Sequence, residues 1–381
     1  MSALLTPLKV GSVTISNRVG MSALTRSRAT GAVANDVMRD YYVQRAEGGA
    51  GLIVSEGILV TRQGTEWPAA PGLWDASQVE GWKKIVDGVH AAGSKIYAQL
   101  WHVGRLAHPD APEQKAAGEP VYGPSAIAAR GGKFRFLADE PGYVVPTELA
   151  DPKTVVALFK KAAEHAKAAG FDGVEIHGAN GYIVHQFLDN TANKRTDAYG
   201  GSPANRSRFA LEVIAACQEV YSENVAIKLA PTGGYNDVGM PLDETVATFG
   251  HLLEQIDKLP TPLSYVVLTK YNPVLDNEVD GKLRATQFDV VETFKSYFAS
   301  GRTHFFLNSG LQVADAETYV GDGNNAVKAV FFGVNWLIHP DLAKRIQHGK
   351  PLDNEPDWMH LYGAEGTDPA IGYTDYKAAV Y

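Results

Sequence analysis

Eight short apolar runs, each followed by a longer segment with helical spacing, restrict the fold of this chain more than any other feature. The runs are rich in β-branched residues, and they cover residues 18–24, 51–57, 95–102, 173–178, 226–231, 265–270, 304–310 and 329–334. Strands that are buried on both faces form continuous apolar runs, and strands that alternate with helices pair in parallel. Eight such units in 381 residues predict a single α/β domain over residues 1–381, a (β/α)8 TIM barrel.

Two of the intervening segments have the spacing of amphipathic helices. Apolar side chains recur at Val156 and Phe159 within residues 153–169, and at Phe209 within residues 205–221. The alternative fold is a doubly wound open sheet. That fold typically has a GxGxxG turn after an early strand, and this sequence has none.

Two segments fall outside the alternation of strands and helices. Residues 8–15 (LKVGSVTI) predict a small hairpin before the first barrel strand, where it would close the barrel floor. Residues 103–150 are rich in Gly, Pro and Ala and form a long insertion between the third strand and its helix. Long irregular insertions in compact domains are usually binding loops. We therefore expect a capping subdomain on the face that carries the strand C-termini.

Composition excludes several classes of protein. The 35 basic and 43 acidic side chains give a net charge of −8 without a dense basic run, which argues against a nucleic-acid partner. No apolar run approaches the roughly 20 residues of a membrane helix, so no membrane association is expected. The single cysteine, Cys217, excludes an intrachain disulfide and a cysteine-built zinc site, and no metal is expected. The N-terminus has no signal-peptide pattern, so cytoplasmic localisation is expected.

The residues at the predicted strand ends are mostly amides, hydroxyls, imidazoles and ammonium groups. They are Thr25, Arg26, Glu56, Gly57, Gln99, Trp101, His102, His177, Asn180, Tyr182, Lys228, Lys270, Tyr271, Asn308, Gly310 and Gly333. Barrel enzymes keep their chemistry at this face. Paired carboxylates of the kind that hydrolyse glycosides are not evident. The set instead indicates a hydrogen-bonding pocket for a polar, planar ligand.

The segment that follows the fourth strand, together with motifs spread along the whole chain, resembles one enzyme family. The matching stretches are PLKVG (7–11), NRVGMSALTRSRA (17–29), GLIVSEG (51–57), QLWHVGR (99–105), the block GVEIHGANGYIVHQFLDNTANKRTDAYGGSPANRSRF (173–209) and HPDLAKRI (339–346). By these motifs the chain resembles the Old Yellow Enzyme family of FMN-dependent ene-reductases. The fold of that family is the barrel predicted independently from the periodicity.

The resemblance implies a reaction and assigns roles to three residues. The enzyme would use NADPH or NADH to reduce FMN, and FMN N5 would pass a hydride to the C=C bond of an α,β-unsaturated carbonyl compound. In the HxxN pattern of the family, His177 and Asn180 would bind the carbonyl oxygen and stabilise the developing enolate. Tyr182, two residues further on, would donate the proton, since phenols are protonated at neutral pH.

The resemblance also assigns binding residues and partners. Thr25 would hydrogen-bond the flavin C4 carbonyl, Gln99 would meet the pyrimidine edge, and Trp101 would line the substrate cavity. The complete expected cofactor site is Ala23, Thr25, Gly57, Gln99, Lys228, Gly310 and Gly333, and the substrate site is His177, Asn180, Trp101, Tyr271 and Tyr362. Small enones and enals are the expected substrates, and the protein would be a monomer or a homodimer.

Two positions depart from the family pattern. Lys228 stands where the family commonly has arginine, so the positive charge is kept but the bidentate geometry is lost. Val334 follows Gly333 where the family has the arginine that binds the FMN phosphate. Either another cation, for instance Lys228 or Arg284, replaces it, or FMN is held less tightly. A flavin-poor homologue that binds carbonyl ligands without turnover therefore stays open as an alternative. A TIM-barrel hydrolase is the third hypothesis, and the missing metal or carboxylate constellation argues against it.

Overall fold

The computed structural model describes residues 2–130, 142–321, 326–363 and 366–381, and the following elements lie within them. The strands are β1 (Leu8–Val10), β2 (Val13–Ile15), β3 (Val19–Met21), β4 (Leu52–Leu59), β5 (Lys95–Trp101), β6 (Tyr122–Gly123), β7 (Thr147–Glu148), β8 (Gly173–Gly178), β9 (Val225–Leu229), β10 (Tyr265–Thr269), β11 (Glu278–Val279), β12 (Lys282–Leu283), β13 (His304–Asn308) and β14 (Val327–Phe332). The α-helices are α1 (Asp36–Glu47), α2 (Ala76–Ala91), α3 (Pro112–Ala117), α4 (Lys153–Ala169), α5 (Ile183–Leu188), α6 (Pro203–Tyr221), α7 (Leu242–Asp257), α8 (Val290–Phe294), α9 (Val313–Gly321), α10 (Val334–Ile338) and α11 (Leu342–His348).

The predicted (β/α)8 barrel is confirmed. Strands β3, β4, β5, β8, β9, β10, β13 and β14 form a closed barrel in that order, and β14 returns to pair with β3. Every neighbouring pair in the barrel is parallel. The open doubly wound sheet is therefore excluded, and all strand C-termini meet at one face.

The side-chain alternation of the strands separates two layers of the core. In β9, Ala226 belongs to the cluster inside the barrel, whereas Val225 and Ile227 pack in the cluster between barrel and helices. In β5, Tyr97 belongs to the inner cluster and its neighbours on either side to the outer one. Because side chains alternate along a strand, the next inward positions after Ala226 and Tyr97 are Lys228 and Gln99. Polar side chains thus face the interior near the C-terminal ends.

The predicted N-terminal hairpin forms and packs at the opposite end of the barrel. Strands β1 and β2 are antiparallel, with Val10 opposite Val13. Val10 and Ile15 are buried in the same cluster as Leu52 and Tyr97, which are inward residues near the start of their strands. The hairpin therefore covers the barrel floor, as the sequence predicted.

Helix and strand ends differ from the predictions by at most three residues. Helix α4 matches its predicted range, and it is capped after Ala169 by Gly170, whose φ of +92° favours glycine. Helix α6 begins two residues before the predicted start, because the Ser202 side chain accepts from the Asn205 N–H and Pro203 occupies the first turn. The last barrel strand ends at Phe332, so Val334, predicted as the end of that strand, is the first residue of α10.

The predicted insertion lies between β5 and α4, and its residues 131–141 are outside the described part of the chain. The rest contains α3 and the short parallel pair β6 and β7. Its apolar side chains, among them Val103 and Leu106, pack in one buried cluster with Trp101 and Tyr182. The insertion therefore contributes to the surroundings of two predicted site residues.

No helix in the described part of the chain is long and apolar enough to cross a membrane.

Candidate active site

A cavity of about 630 Å³ opens at the C-terminal ends of the barrel strands. The predicted site residues that line it are Ala23, Thr25, Gly57, Gln99, Trp101, His177, Asn180, Tyr182, Lys228, Gly310, Gly333 and Tyr362. These residues come from both halves of the chain, and the closed barrel brings them together. The volume falls within the range of roughly 300–1,000 Å³ that is typical of small-molecule sites.

Tyr271 is the predicted site residue that the structure does not bring into the cavity lining. Its hydroxyl donates to Asp276 Oδ2 at 3.1 Å, within the loop that follows β10. Its neighbour Asn272 lines the cavity instead. Tyr271 lies two positions beyond the end of β10, where the alternation of strand side chains no longer constrains it, so the sequence pattern could not determine its direction.

Several residues that line the cavity were not part of the predicted site. Ser22 and Asn308 line the cavity close to the ends of β3 and β13, and the strand alternation was the signal that could have identified them. Tyr235, Trp358 and Leu361 also line it. Tyr235 lies in the turn that follows β9, whereas Trp358 and Leu361 lie far from any strand end in sequence, and no local pattern marks the three.

Three aromatic rings form a compact group beside the cavity. The rings of His177 and Tyr182 meet edge to face with centroids 4.9 Å apart, and those of Tyr182 and Trp101 do so at 5.0 Å. Edge-to-face contacts at this distance are favourable because the positive edge of one ring meets the negative face of the other. Trp101 is almost fully buried. The packing therefore restricts the positions of the His177 imidazole and the Tyr182 phenol.

The His177 imidazole is neutral and can donate a hydrogen bond. Burial lowers the pKa of His177 well below its usual value, and the charge of Lys228 lowers it further. The backbone N–H of Ala179 donates to Nδ1 at 3.4 Å, so Nδ1 is the acceptor nitrogen. In a neutral imidazole the other nitrogen, Nε2, then carries the hydrogen. His177 thus offers the cavity a neutral donor.

Asn180 lies in a turn that few residue types tolerate. Its φ is +57°, and Gly181 follows with a φ of +75°. Asparagine enters the left-handed region more readily than other non-glycine residues. A Cβ at Gly181 would lie 2.9 Å from the Asn236 Cβ, so only glycine fits there. This turn places Asn180 and Tyr182 on the same cavity as His177.

Lys228 belongs to a buried polar network. Its ammonium donates to Ser22 Oγ at 3.1 Å. Gln99 Nε2 donates to Glu175 Oε1 at 2.7 Å, and the Tyr265 hydroxyl donates to Glu175 Oε2 at 2.8 Å. Burial lowers the pKa of Lys228, and the nearby Glu175 carboxylate opposes that effect. Lys228 and the buried Glu175 carboxyl influence each other by charge within the barrel, and these hydrogen bonds hold Lys228 and Gln99 at the cavity wall.

The far end of the cavity carries no charge among the described residues that line it. It is formed by Ser309 to Gln312 and by Gly333 to Asn335. A Cβ at Gly310 would meet no atom within 4 Å, and φ there is +64°. This end can offer backbone N–H groups and small polar side chains to an anion, but the lining has no guanidinium.

The C-terminal segment forms another wall of the cavity. Leu361 and Tyr362 line it, and the Tyr362 ring lies 4.6 Å from that of Trp67. Arg26 is fully buried and donates from Nε to the Leu361 carbonyl oxygen at 3.0 Å. Arg28 donates to the neighbouring His360 carbonyl oxygen at 2.7 Å. Two arginines that follow β3 thus hold the end of the chain against the cavity.

The donor set fits a flavin better than a metal. The wall combines amide, ammonium and hydroxyl groups with glycine positions that leave room for a flat ring system. At Gly57 a Cβ would lie 2.7 Å from the Trp101 ring, so a side chain there would displace the tryptophan. Within residues 2–130, 142–321, 326–363 and 366–381, no three histidine, cysteine or acidic side chains come together as a possible metal site.

The chain resembles known proteins over almost its whole length. Residues 3–353 match the NADH:flavin oxidoreductase / NADH oxidase family. The 12-oxophytodienoate reductase 2 of Arabidopsis thaliana is 35% identical, with 98% of this chain and 95% of the relative covered. Morphinone reductase superimposes with a TM-score of 0.84 at 34% identity, covering 99% of this chain and 96% of the other. An Old Yellow Enzyme homologue from Zymomonas mobilis superimposes with a TM-score of 0.84 at 30% identity, covering 98% and 99%.

A closed parallel barrel with a polar cavity at its strand C-termini defines a TIM-barrel enzyme. The chain belongs to the NADH:flavin oxidoreductase / NADH oxidase family, and the predicted likeness to the Old Yellow Enzymes is confirmed. The protein is therefore an oxidoreductase, and membership of the family implies FMN as its cofactor.

Proposed function

We propose that this protein is an FMN-dependent ene-reductase that uses NADH or NADPH to reduce the activated C=C bond of small enones and enals. The observation that carries the proposal is the convergence of a neutral His177, Asn180 and Tyr182 on one cavity. Two neutral donors beside a hydroxyl match the needs of a carbonyl compound that becomes an enolate during the reaction. When bound, reduced FMN would supply the hydride to the β-carbon of that compound.

His177 and Asn180 would bind the substrate carbonyl oxygen. His177 Nε2–H and the Asn180 amide would each donate a hydrogen bond, and these bonds would strengthen as negative charge develops on the oxygen. A neutral imidazole suits this role, because it donates without forming an ion pair in the ground state. The Ala179 N–H on Nδ1 would keep the ring in the required tautomer.

Tyr182 would provide the proton. Its phenol would transfer a hydrogen ion to the α-carbon, which accepts it with the electron pair of the enolate. The contacts of Tyr182 with the His177 and Trp101 rings restrict its orientation. A proton donor held next to the oxygen-binding pair is what such a two-step reduction requires.

On the cofactor side, Ala23, Thr25, Gly57, Gln99 and Lys228 would surround the ring system. Lys228 would supply positive charge where the reduced flavin becomes anionic, and Gln99 would offer its amide. Gly310 and Gly333 would allow the backbone to approach the phosphate. Capping of the site by residues 103–150 is also part of the proposal, supported by the contacts of Val103 and Leu106 with Trp101 and Tyr182.

The names of the relatives support the reductant and the substrate class. Morphinone reductase has been solved in complex with tetrahydroNAD, a nicotinamide analogue. The 12-oxophytodienoate reductases are named for an oxo compound that contains C=C bonds. We therefore propose a nicotinamide reductant and an α,β-unsaturated carbonyl substrate for this chain.

The first experiment is to saturate the purified protein with FMN and to measure NADH and NADPH oxidation that depends on 2-cyclohexenone. Formation of cyclohexanone in equal amount supports the proposal. Phenols mimic the enolate oxygen, so they should give a long-wavelength charge-transfer band with the oxidised flavoprotein. No binding of FMN, or no enone reduction with FMN bound, would refute the function.

The assignment of the oxygen-binding pair is tested by the affinity for that phenol. His177→Ala and Asn180→Ala should each weaken it about tenfold or more, because a hydrogen bond to a charged group is worth ~1.5–3 kcal/mol. Asn335→Ala is the matched control, since Asn335 lines the far end of the same cavity. Unchanged phenol affinity in both first variants would contradict the roles of His177 and Asn180.

A second candidate function is favoured by the neutral far end of the cavity. A protein that retains FMN poorly would still bind carbonyl compounds at His177 and Asn180, without turnover. Titration of the flavin-free protein with a phenol, followed by intrinsic tryptophan fluorescence, tests this candidate. Tight phenol binding without flavin, together with no FMN binding, would favour it over the reductase.

A further inference from the structure

A short turn after β9 contacts the proposed oxygen-binding loop from behind. The turn covers Tyr235–Asp237, and two of its residues, Asn236 and Asp237, have φ values of +59° and +56°. Consecutive non-glycine residues in the left-handed region persist only where the surroundings hold them. The structure shows two sets of contacts that do so.

The first set surrounds the Asp237 carboxylate, which is 5% exposed. Arg130 donates to it from its backbone N–H at 2.8 Å and from Nη2 at 3.0 Å, and Arg284 donates from Nε at 2.9 Å. Arg105 donates to the Asp237 carbonyl oxygen at 2.8 Å. Burial alone would raise the pKa of Asp237, but the neighbouring arginines hold it below the usual value. Two arginines of the insertion and one from the loop after β12 therefore converge on Asp237.

The second set joins the turn to the oxygen-binding loop. Asn236 Nδ2 donates to the Asn180 carbonyl oxygen at 2.9 Å, and the Asn236 backbone N–H donates to Asn277 Oδ1 at 2.8 Å. Because Gly181 has no side chain, its Cα lies directly against Asn236 and the Tyr235 carbonyl. Asn236 therefore contacts the peptide plane between Asn180 and Gly181.

The next peptide plane is held from the other side. Gln186 Nε2 donates to the Gly181 carbonyl oxygen at 2.7 Å, and its Oε1 accepts from the Arg105 backbone N–H at 3.1 Å. Arg105 thus contacts both Gln186 and Asp237. The carbonyls of Asn180 and Gly181 are each fixed by a side-chain amide. Arg105 bonds directly to the Gln186 amide, and it reaches Asn236 through the carbonyl of the adjacent Asp237.

We propose that Asn236 and Asp237 are positioning residues for the oxygen-binding pair. Asn236 acts through the Asn180 carbonyl and sets the direction of the Asn180 side chain. Asp237 acts through the turn, which its arginines hold in the left-handed conformation. The inference rests on the proposed role of Asn180, and it adds a connection from the insertion to the site that the function alone does not require.

The test uses the FMN-loaded protein and two substitutions at Asn236. Asn236→Asp keeps the shape and tolerates the left-handed conformation, but a carboxylate cannot donate to the Asn180 carbonyl. Asn236→Gly favours the same backbone conformation and removes the side chain. Both variants should bind a phenol about tenfold more weakly, the cost of a lost and disrupted hydrogen bond. The KM for 2-cyclohexenone should rise, while the dissociation constant of FMN stays within twofold of the wild type.

Asn205→Asp is the matched control. Asn205 Nδ2 also donates to a backbone carbonyl, that of Gly200 at 3.0 Å, but it lies at the start of α6 and does not line the cavity. This variant should leave the phenol affinity unchanged. A general loss of stability would lower the temperature of thermal unfolding and the retention of FMN in the Asn236 and Asn205 variants alike. A positioning role instead weakens the phenol affinity and raises the KM in the two Asn236 variants alone.

Asp237 is tested by Arg284→Gln, since Asp237→Asn leaves several guanidinium groups short of a counter-charge and can fail to fold. Arg284→Gln should weaken the phenol affinity by a smaller factor than Asn236→Asp. Phenol affinity within twofold of the wild type in both Asn236 variants would overturn the inference, provided that Asn180→Ala weakens it. If Asn180→Ala itself has no effect, the proposed role of Asn180 fails instead.

Discussion

Val334→Arg is the substitution that most directly tests how the protein holds a phosphate. Val334 is the first residue of α10, it is 39% exposed, and it lines the neutral end of the cavity. Phosphate sites in TIM barrels commonly lie on the loops after the seventh and eighth strands, which here carry Gly310 and Gly333. We therefore expect the FMN phosphate at this end, where an arginine side chain would reach it from an exposed position.

The structure argues against compensation by the two cations that could replace the family arginine. Lys228 donates to Ser22 inside the barrel, and Arg284 donates to Asp237. Neither Arg284 nor any other arginine is among the described residues that line the cavity. The phosphate would therefore rely on backbone N–H groups and on polar side chains such as Gln312.

The expected magnitude follows from one charged hydrogen bond. Such a bond is worth ~1.5–3 kcal/mol, so Val334→Arg should lower the dissociation constant of FMN ~10-fold to ~150-fold. Riboflavin has the same ring system without the phosphate, so its dissociation constant should not change. The ratio of the dissociation constants of riboflavin and FMN should therefore be smaller in the wild type than in Val334→Arg.

The assay is a titration of the flavin-free protein that follows the quenching of flavin fluorescence, once with FMN and once with riboflavin. Val334→Gln is the control, because it adds a long polar side chain without a charge. Unchanged FMN affinity in Val334→Arg would show that the phosphate is already neutralised elsewhere. An equal gain for riboflavin would contradict a phosphate contact, because the new side chain would then contact the ring or the ribityl chain.

Three further predictions concern other parts of the molecule. Tyr182→Phe should leave FMN reduction by NADH unchanged but slow enone reduction about 100-fold or more, the usual contribution of a general acid. Stopped-flow measurement of each half-reaction checks this. Slowing of FMN reduction alone would contradict the assignment. Burial raises the pKa of the Glu56 carboxyl from 4.5 to about 7, so the folded protein keeps this proton at a higher pH than the unfolded chain does. The contribution of Glu56 to the free energy of unfolding is therefore fully present below pH 4.5 and is lost as the pH rises through 7. Between pH 4.5 and pH 8, the unfolding free energy of Glu56→Gln should therefore rise by up to about 3 kcal/mol relative to that of the wild type. Urea denaturation measures this, and parallel profiles of unfolding free energy against pH for the two proteins would argue against it. Cys217 is buried, which raises the pKa of its thiol to about 12, so a thiol reagent should react with it only after unfolding; rapid labelling of the native protein would contradict this.

The sequence determined the barrel because its signals are local. Each strand is a short apolar run, and the helical spacing of residues 153–169 predicted α4 without error. Gln99, His177 and Lys228 were predicted from their places at the C-terminal ends of the apolar runs, and the family resemblance assigned their roles. These positions could be predicted because barrel enzymes keep their chemistry at the face where the strands end.

The loops between the strand ends depend on contacts between parts of the chain that are distant in sequence. The bond from Asn236 to Asn180 joins residues 56 positions apart, and that from Arg130 to Asp237 joins residues 107 positions apart. Tyr271 bonds to Asp276 and does not line the cavity, whereas the C-terminal segment with Leu361 forms a wall of it. Loop side chains follow no period, and their directions depend on hydrogen bonds to partners that are distant in the chain. Local spacing therefore predicts the residues of the barrel, whereas the folded loops determine which of their side chains reach the cavity.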